Sequence, residues 1–277
     1  MNNLEDKVFE GIISWFKDKN QKAIVALSGG VDSAVVALAA KKALDKKAIA
    51  VTADYNTLSA DELKSARKIA KEINIEHKII RYNELENAEF VKNDLLRCYH
   101  CRSELASYLL HEAKIIDVVL VVDGTNIDDL KDYRPGMKAL RENGIRSPLV
   151  ELGIDKNNVR SIAQSNNLSV FDKPSNSCLA SRIPYGSPVT FEKLKRIENA
   201  EFLVKSIFNV RQVRVRDHQD LARIEVGKEE IKEMFDTKKL SEIDSKLKHL
   251  GFKHIALDLS GYKSRENINT SSSNNTN

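Results

Sequence analysis

The sequence predicts an α/β protein, with a doubly wound parallel sheet in a larger first domain and a smaller α+β domain after it. The main observation is a set of short, continuous apolar runs, which are typical of strands buried on both faces of a parallel sheet. These runs lie at residues 23–27, 48–53, 77–80 and 118–124. Helical patterns from Ala34, Ser59 and Arg102 lie between them, and this alternation of helix and strand indicates the doubly wound class.

The remaining elements follow in chain order from hydrophobic periodicity. An amphipathic helix is predicted at residues 4–17, and a later helix and strand, at 156–168 and 169–172, complete the sheet. Two prolines and a glycine within residues 181–190 mark a turn-rich junction. The elements predicted beyond it are a helix at 191–208, strands at 210–217 and 221–226, a helix at 231–250 and a strand at 254–259.

These patterns divide the chain into three parts. The α/β domain is predicted at residues 1–182 and the α+β domain at residues 183–265. Residues 266–277 are polar and low in complexity, so we expect a disordered tail there.

The composition excludes several classes of protein. With 42% hydrophobic and 30% charged residues, it is that of a soluble globular protein. No apolar run is long enough to cross a bilayer, and the start, MNNLEDKVFE, lacks the basic and apolar regions of a signal peptide. We therefore expect a cytoplasmic protein with reduced thiols and no membrane partner. The net charge of +4 is too small to imply nucleic-acid binding by itself.

The stretch LSGGVDSA, residues 27–34, follows the first buried strand and opens a helix. Glycines permit a sharp turn close to a phosphate, and a helix N-terminus supplies free N–H groups. Asp32 could hold a bridging Mg²⁺. The loop is not a Walker A loop, because the Gly-Lys-Ser/Thr ending is absent. An ordinary strand-to-helix turn is the alternative. The residues expected to bind nucleotide are Ser28, Gly29, Gly30, Asp32 and Ser33.

A second loop, DGTNIDDLKDYRPG at residues 123–136, follows the last long apolar run. Ligands of open α/β sheets bind at the carboxyl ends of strands, so this loop should face the same nucleotide through Gly124 and Thr125. The alternative for its aspartates is that they cap and solvate the start of a helix. These aspartates are Asp128, Asp129 and Asp132.

A basic strand is predicted in the second domain. VRQVRVRD places Arg214 and Arg216 on one face and Arg211 on the other. Two guanidinium groups on one face make a good phosphate clamp. The alternatives are a solvated face paired with Glu225 or Asp217, or a patch that binds tRNA.

The loop S-G-G-V-D-S resembles the PP-loop of ATP pyrophosphatases, which adenylate an oxygen of their substrate and release pyrophosphate. Three further segments make the chain similar, nearly end to end, to LarE-type sulfur transferases. They are D-Y-R-P-G at 132–136, S-C-L-A-S-R-I-P-Y-G at 177–186, and the C-terminal stretches at 213–225 and 258–264.

This resemblance implies a PP-loop type of fold, ATP and Mg²⁺ as cofactors, and a second domain for substrate binding and oligomerisation. The implied substrate is a pyridinium biscarboxylic acid mononucleotide, a precursor of the nickel-pincer nucleotide, whose carboxylate becomes a thiocarboxylate. The implied partners are this small nucleotide and further copies of the chain in a closed homo-oligomer. The implied contacts to its phosphate are Ser181, Arg182, Arg214 and Arg216.

The chain has three cysteines: Cys98 and Cys101 in a C-x-x-C, and Cys178. Soft thiolates favour iron–sulfur or zinc sites, and the spacing alone leaves the two nearly level. For zinc, His100 or His111 would be the fourth ligand. A redox pair, or cysteines that are unrelated residues of the core, would also account for the pattern.

The resemblance places Cys178 at the family's functional cysteine. In single-cysteine members that residue gives up its sulfur and becomes dehydroalanine. The two extra cysteines resemble the three-cysteine subgroup, which implies a [4Fe-4S] cluster with one open iron. We therefore expect Cys98, Cys101 and Cys178 to be both cluster ligands and catalytic residues, with Asp32 serving the ATP step.

Three further functions compete with this interpretation. A cluster-dependent tRNA thiolase has a similar C-x-x-C and a distant third cysteine, although two arginines are few for binding RNA. An ammonia-using ligase is less favoured because no N-terminal catalytic cysteine or fused glutaminase is visible. A non-enzymatic sensor of nucleotide and metal is the least favoured. The sequence does not identify the sulfide donor.

Overall fold

The computed structural model describes residues 4–131 and 135–262. The motif residues Asp132, Tyr133 and Arg134 and the predicted tail at 266–277 therefore lie outside the described residues. The chain forms two compact units. The N-terminal unit comprises Met1–Phe90 and Leu95–Asn176, and the C-terminal unit comprises Val91–Asp94 and Ser177–Asn277.

The N-terminal unit alternates strands with helices, as expected. Its strands are β1 (Ala23–Ala26), β2 (Ala48–Asp54), β3 (Glu76–Arg81) and β4 (Leu120–Val122). The helices up to the end of this unit are α1 (Leu4–Lys19), α2 (Val31–Leu44), α3 (Ala60–Glu72), α4 (Ala88–Val91), α5 (Arg97–Ile115), α6 (Pro135–Glu142), α7 (Pro148–Glu151) and α8 (Lys156–Ser165). Within the described residues, no helix is long and apolar enough to span a membrane.

The four strands form one parallel sheet in the order β3-β2-β1-β4. Its two faces pack against different helices. Ala23 and Val25 of β1 belong to a buried apolar cluster with α1, α2 and α8, whereas Ile24 belongs to a second cluster with α5. Burial on both faces explains the continuous apolar run of β1, and it confirms the predicted fold class. Because all four strands run in the same direction, the loops after β1 and β4 lie at one edge of the sheet.

The strand predicted at residues 169–172 is wrong. The backbone turns there, and the N–H of Phe171 donates to the carbonyl of Leu168 at 3.1 Å. The free edge of β4 is paired elsewhere, since Arg146 bridges to it and donates its N–H to the carbonyl of Val121 at 3.0 Å. With that edge occupied and its own backbone engaged in turns, the apolar segment packs without extending the sheet.

The C-terminal unit contains α9 (Phe191–Phe208), β5 (Val213–His218), β6 (Leu221–Val226), α10 (Thr237–His249) and β7 (His254–Leu257). Helix α9 has the predicted bounds. Strands β5 and β6 form the predicted antiparallel hairpin, and β7 adds parallel to β6. The helix predicted from residue 231 begins later, because Lys228–Met234 is a 3₁₀ segment. Arg211 precedes β5, so its predicted position on the opposite strand face is wrong.

Candidate active site

The loop after β1 has the geometry of a tight phosphate-binding turn. Gly29 has φ = 84°, and a Cβ there would lie 2.4 Å from the backbone oxygen of Glu62, so only glycine fits. The backbone N–H of Ser28 donates to Ser33 Oγ at 3.2 Å, and Ser33 Oγ donates to the carbonyl of Gly30 at 3.1 Å. Four of the five nucleotide-binding residues predicted in this loop thus form one compact turn that leads into α2.

Two residues that the sequence did not indicate hold this turn from outside. Lys173 donates from Nζ to the carbonyl of Gly29 at 2.9 Å and pairs with Glu62 at 2.8 Å. Ser65 on α3 donates to the same carbonyl at 2.9 Å. These bonds fix the direction of the first peptide units of the loop. No local signal marks Lys173 or Ser65, because both are ordinary polar positions in the sequence.

Asp32, the fifth loop residue, lies between two donors. Asn126 donates from Nδ2 to Asp32 Oδ1 at 3.0 Å, and Lys156 donates from Nζ to Asp32 Oδ2. Asn126 follows Gly124 and Thr125 in the second loop, so its place in the sequence could have indicated that it belongs to the site. No feature of the sequence around Lys156 indicates this, since a lysine in the first turn of a helix is common. The carboxylate of Asp32 is a hard oxygen ligand and fits Mg²⁺ chemically.

The second loop packs directly on the first. A Cβ at Gly124 would lie 2.6 Å from the backbone nitrogen of Ser33, so the two loops touch at their backbones. Thr125 is bound to its own loop instead, because its hydroxyl donates to Asp123 at 2.5 Å. Asp128 accepts from the backbone N–H of Lys156 at 2.8 Å, at the start of α8.

The capping role considered for the aspartates therefore applies to Asp128. Its hydrogen bond from the side chain of Lys131, and then the backbone bond from Lys156, lower the pKa of Asp128. Asp129 accepts instead from the backbone N–H of Asn126 at 3.1 Å, within the loop itself. Asp132 lies outside the described residues.

Cys98 and Cys101 lie one turn apart at the start of α5. Neither forms a disulfide; Cys98 is half-buried and Cys101 is buried. The guanidinium of Arg97 donates to Cys98 Sγ at 3.9 Å. Cys178 belongs to the C-terminal unit, where it is half-buried and immediately precedes the 3₁₀ turn Leu179–Arg182.

The residues that the structure describes contain no assembled group of three or more His, Cys, Asp or Glu side chains able to hold a metal ion. His111, considered as a zinc ligand, is exposed on α5. His100 lies on the same helix, with its ring edge-on to Tyr99. The pair Cys98 and Cys101 is accordingly the part of the predicted metal site that one helix brings together.

In the C-terminal unit, Arg182 is a buried anchor for the segment that carries Cys178. Its guanidinium forms a bidentate pair with Glu201 on α9, at 2.8 and 3.0 Å. The remaining nitrogen donates to the carbonyls of Ser177 and Cys178, at 2.5 and 3.0 Å, and to Ser181 Oγ at 3.1 Å. These bonds tie residues 177–182 to the C-terminal unit, whereas the sequence-based boundary lies after residue 182.

Arg214 and Arg216 on β5 have different surroundings. Arg216 pairs with Glu225 at 2.9 Å and donates to the carbonyl of Ser181 at 2.7 Å. Arg214 is only 8% exposed and lies over the ring of Tyr262 at 4.1 Å. The pairing with Glu225 that the sequence left open therefore holds for Arg216. Asp217, the other acid considered, pairs with Arg196.

No hydrogen bond or ion pair within residues 4–131 and 135–262 neutralises the guanidinium of Arg214. Burial first, and then repulsion from Arg182, lower the pKa of Arg214 to about 10. A buried cation without its own anion is costly, and a bound phosphate would relieve that cost.

Comparison with known proteins places this geometry in a family. A family model described as "Queuosine biosynthesis protein QueC" matches residues 22–102. "Uncharacterized protein slr1717" of Synechocystis sp. is 42% identical over 94% of this chain and 96% of its own length. "Uncharacterized protein MJ0830" of Methanocaldococcus jannaschii is 32% identical over 95% of each chain. The pyridinium-3,5-bisthiocarboxylic acid mononucleotide synthase of Lactiplantibacillus plantarum is 32% identical over 88% of each chain.

The parallel sheet, the S-G-G-V-D-S loop at its edge and these relatives define an ATP-using enzyme of the PP-loop ATP pyrophosphatase class. The chain belongs, more closely, to the LarE-type family of ATP-dependent sulfur transferases, which includes the synthase of L. plantarum. The resemblance drawn from the sequence is thereby confirmed.

Proposed function

We propose that this enzyme uses ATP to adenylate a carboxylate of pyridinium biscarboxylic acid mononucleotide and converts it to a thiocarboxylate. The observation that carries the proposal is the relative from L. plantarum, whose name gives a bisthiocarboxylic acid mononucleotide as its product. The match covers 88% of this chain, which is more than either compact unit alone contains. The match therefore covers residues of both units, and the proposal must assign a role to the nucleotide loop and to Arg182, Arg214 and Arg216.

The ATP step is assigned to the N-terminal unit. The turn from Ser28 to Ser33 presents hydroxyl groups and the start of α2 to phosphate oxygens, and a helix N-terminus favours negative charge. Asp32 is the residue that would hold Mg²⁺, which would neutralise the departing pyrophosphate. A substrate carboxylate oxygen bonds to the α-phosphorus, and the bond from that phosphorus to pyrophosphate breaks. The product is an acyl-adenylate.

The substrate phosphate is assigned to the C-terminal unit. Arg214 is the central group, because it is a buried cation with no carboxylate partner among the described residues. Arg216 and Ser181 lie next to each other through the bond at 2.7 Å and would add donors. Arg182 is saturated by Glu201 and by backbone carbonyls, so we assign it to positioning the loop.

The sulfur step is assigned to the three cysteines. Cys98 and Cys101 form no disulfide and lie one helical turn apart, which suits two thiolate ligands on one helix, and Cys178 would be the third. A [4Fe-4S] cluster held by these cysteines, when bound, would carry a free sulfide and present it to the activated substrate. Sulfur bonds to the acyl carbon, and the bond from that carbon to AMP breaks. In the sacrificial route, Cys178 itself is the sulfur donor and loses its Cβ–S bond.

A cluster-dependent tRNA thiolase remains the second candidate, favoured by the C-x-x-C and the distant third cysteine. Copurification of RNA would support it, whereas we expect none with a small phosphate clamp. We also propose a homo-oligomer, as in the family.

The test uses anaerobically purified protein, Mg·ATP and the biscarboxylic mononucleotide, with and without added inorganic sulfide. We expect pyrophosphate and AMP to form in step with a thiocarboxylate product, together with iron and sulfide in the purified protein. Pyrophosphate release without any sulfur-containing product would contradict the sulfur transfer. Full sulfur transfer by a protein free of iron would contradict the cluster but leave the sacrificial route through Cys178.

A further inference from the structure

The chain enters the C-terminal unit twice, and the first passage is short. Val91–Asp94 belongs to this unit, although the residues before and after it belong to the N-terminal unit. Two backbone hydrogen bonds attach the segment. The N–H of Val189 donates to the carbonyl of Val91, and the N–H of Gly186 donates to the carbonyl of Asn93, both at 3.0 Å. The segment is thus anchored by a part of the chain that is distant in the sequence.

The side chain of Asn93 completes this attachment. It is fully buried, and its Nδ2 donates to the carbonyls of Pro184 and Ser187 at 2.8 and 2.7 Å. A side-chain amide has two N–H donors on one nitrogen, so it can bind both carbonyls at once, which a carboxylate cannot do. The backbone of Asn93 has φ = 57°, a left-handed conformation that asparagine adopts more readily than most residues. Both the side chain and the backbone of this position therefore suit asparagine.

Both sides of this attachment lead directly to cysteines. Only residues 94–96 lie between Asn93 and α5, whose first turn contains Cys98. On the other side, the 3₁₀ turn Leu179–Arg182 lies between Cys178 and the carbonyls that Asn93 binds. Because a short stretch of chain has a limited reach, fixing the attachment limits how far apart the thiols of Cys98 and Cys178 can be.

We propose that Asn93 is a positioning residue of the sulfur-transfer site. By binding the carbonyls of Pro184 and Ser187, its amide holds the start of α5 and the segment after Cys178 at a fixed separation, as three thiolate ligands of one cluster require. This inference rests on the sulfur step of the proposed function. Asn93 takes no part in the chemistry itself, and residues that orient metal ligands in this way commonly contribute strongly to metal affinity.

The experiment uses full-length Asn93→Ala and measures three quantities. In metal-free protein treated with a short bis-maleimide, mass spectrometry of the digest measures the cross-link between Cys178 and the peptide with Cys98 and Cys101. We expect this cross-link in the wild type and only a minor fraction of it in the variant.

The other two quantities are affinities. In protein reconstituted with iron and sulfide, a competing chelator measures the affinity for iron, which should fall by about tenfold or more in Asn93→Ala. Calorimetry measures the affinity for the magnesium complex of α,β-methylene-ATP. It should change by less than about twofold, because the nucleotide loop belongs to the other compact unit.

Asn209→Ala is the matched control. Asn209 also has φ = 57°, but it is exposed at the end of α9, so this variant changes a left-handed asparagine without removing a buried amide. It should leave all three quantities unchanged. If Asn93→Ala does not fold, Asn93→Gly takes its place, because glycine adopts the left-handed conformation without strain and still lacks the amide.

Two results would overturn the inference. One is a cross-link and an iron affinity in the Asn93 variant equal to those of Asn209→Ala. The other is a parallel loss of affinity for the ATP analogue, which would show that Asn93 only supports the fold. Failure of the proposed function appears separately, as a wild type that holds no iron. The cross-link then decides the role of Asn93 by itself.

Discussion

Replacing Arg214 by methionine should affect stability and phosphate binding in opposite directions. The side chain is buried, lies near Arg182 and Arg216, and has no ion pair with a described residue. The lowered pKa of Arg214, about 10, corresponds to a cost of roughly 3 kcal/mol for the charged form. Because a lowered pKa opposes the charged form, this cost persists at every pH below about 10.

The net effect on the free energy of unfolding is this cost minus the stabilisation that the Arg214 side chain contributes. Its stacking on Tyr262 stabilises the fold by about 0.5–2 kcal/mol, and methionine keeps part of the packing volume. Arg214→Met should therefore be neutral or stabilise the free protein by about 1–2 kcal/mol. Arg182→Met is the matched control. It leaves Glu201 buried without its bidentate partner and should destabilise the fold by about 3–5 kcal/mol.

The assay is urea unfolding of the full-length protein in phosphate-free buffer and again with added inorganic phosphate. Phosphate should raise the unfolding midpoint of the wild type and leave that of Arg214→Met nearly unchanged, because a ligand stabilises only the state that binds it. If Arg214→Met lost as much stability as Arg182→Met, or gained as much from phosphate as the wild type, the assignment of Arg214 as a phosphate-binding residue would be refuted.

Three further predictions concern catalysis. Asp32→Ala should abolish pyrophosphate release, because it removes the carboxylate assigned to Mg²⁺. Circular dichroism should show a retained fold, because this side chain is partly exposed; full activity would show that Asp32 has no role in the ATP step. Gly124→Ala should raise the KM for ATP, since the new Cβ would lie 2.6 Å from the backbone of Ser33 and displace the loop; an unchanged KM would contradict the packing. Alanine at each cysteine should abolish sulfur transfer and the iron–sulfur absorption to similar degrees, with the wild-type mass unchanged after turnover. Loss of one hydrogen sulfide from Cys178, roughly 34 Da through elimination of its thiolate, would favour the sacrificial route. The three cysteines to be replaced are Cys98, Cys101 and Cys178.

The sequence alone determined the features that depend on neighbouring residues. Continuous apolar runs predicted four parallel strands because strands covered on both faces need no polar side. The S-G-G-V-D-S stretch predicted a turn that opens a helix, because its glycines permit a sharp turn directly after a buried strand. Helix α9 was predicted at its observed bounds. In the structure, Thr190 accepts from the N–H of Lys193 at its start, and Asn209 adopts a left-handed conformation at its end.

The tertiary structure alone decided which charged groups have partners. Asp32 and Lys156 are 124 residues apart, and nothing local to either one indicates the other. Arg214 and Arg216 look equivalent in the sequence, yet only Arg216 has a carboxylate partner among the described residues. Likewise, the apolar segment at 169–172 has the composition of a strand, but the sheet edge it would need is already paired. Long-range pairing depends on where the packed core brings distant side chains and edges together, and a periodic pattern along the chain does not contain that information.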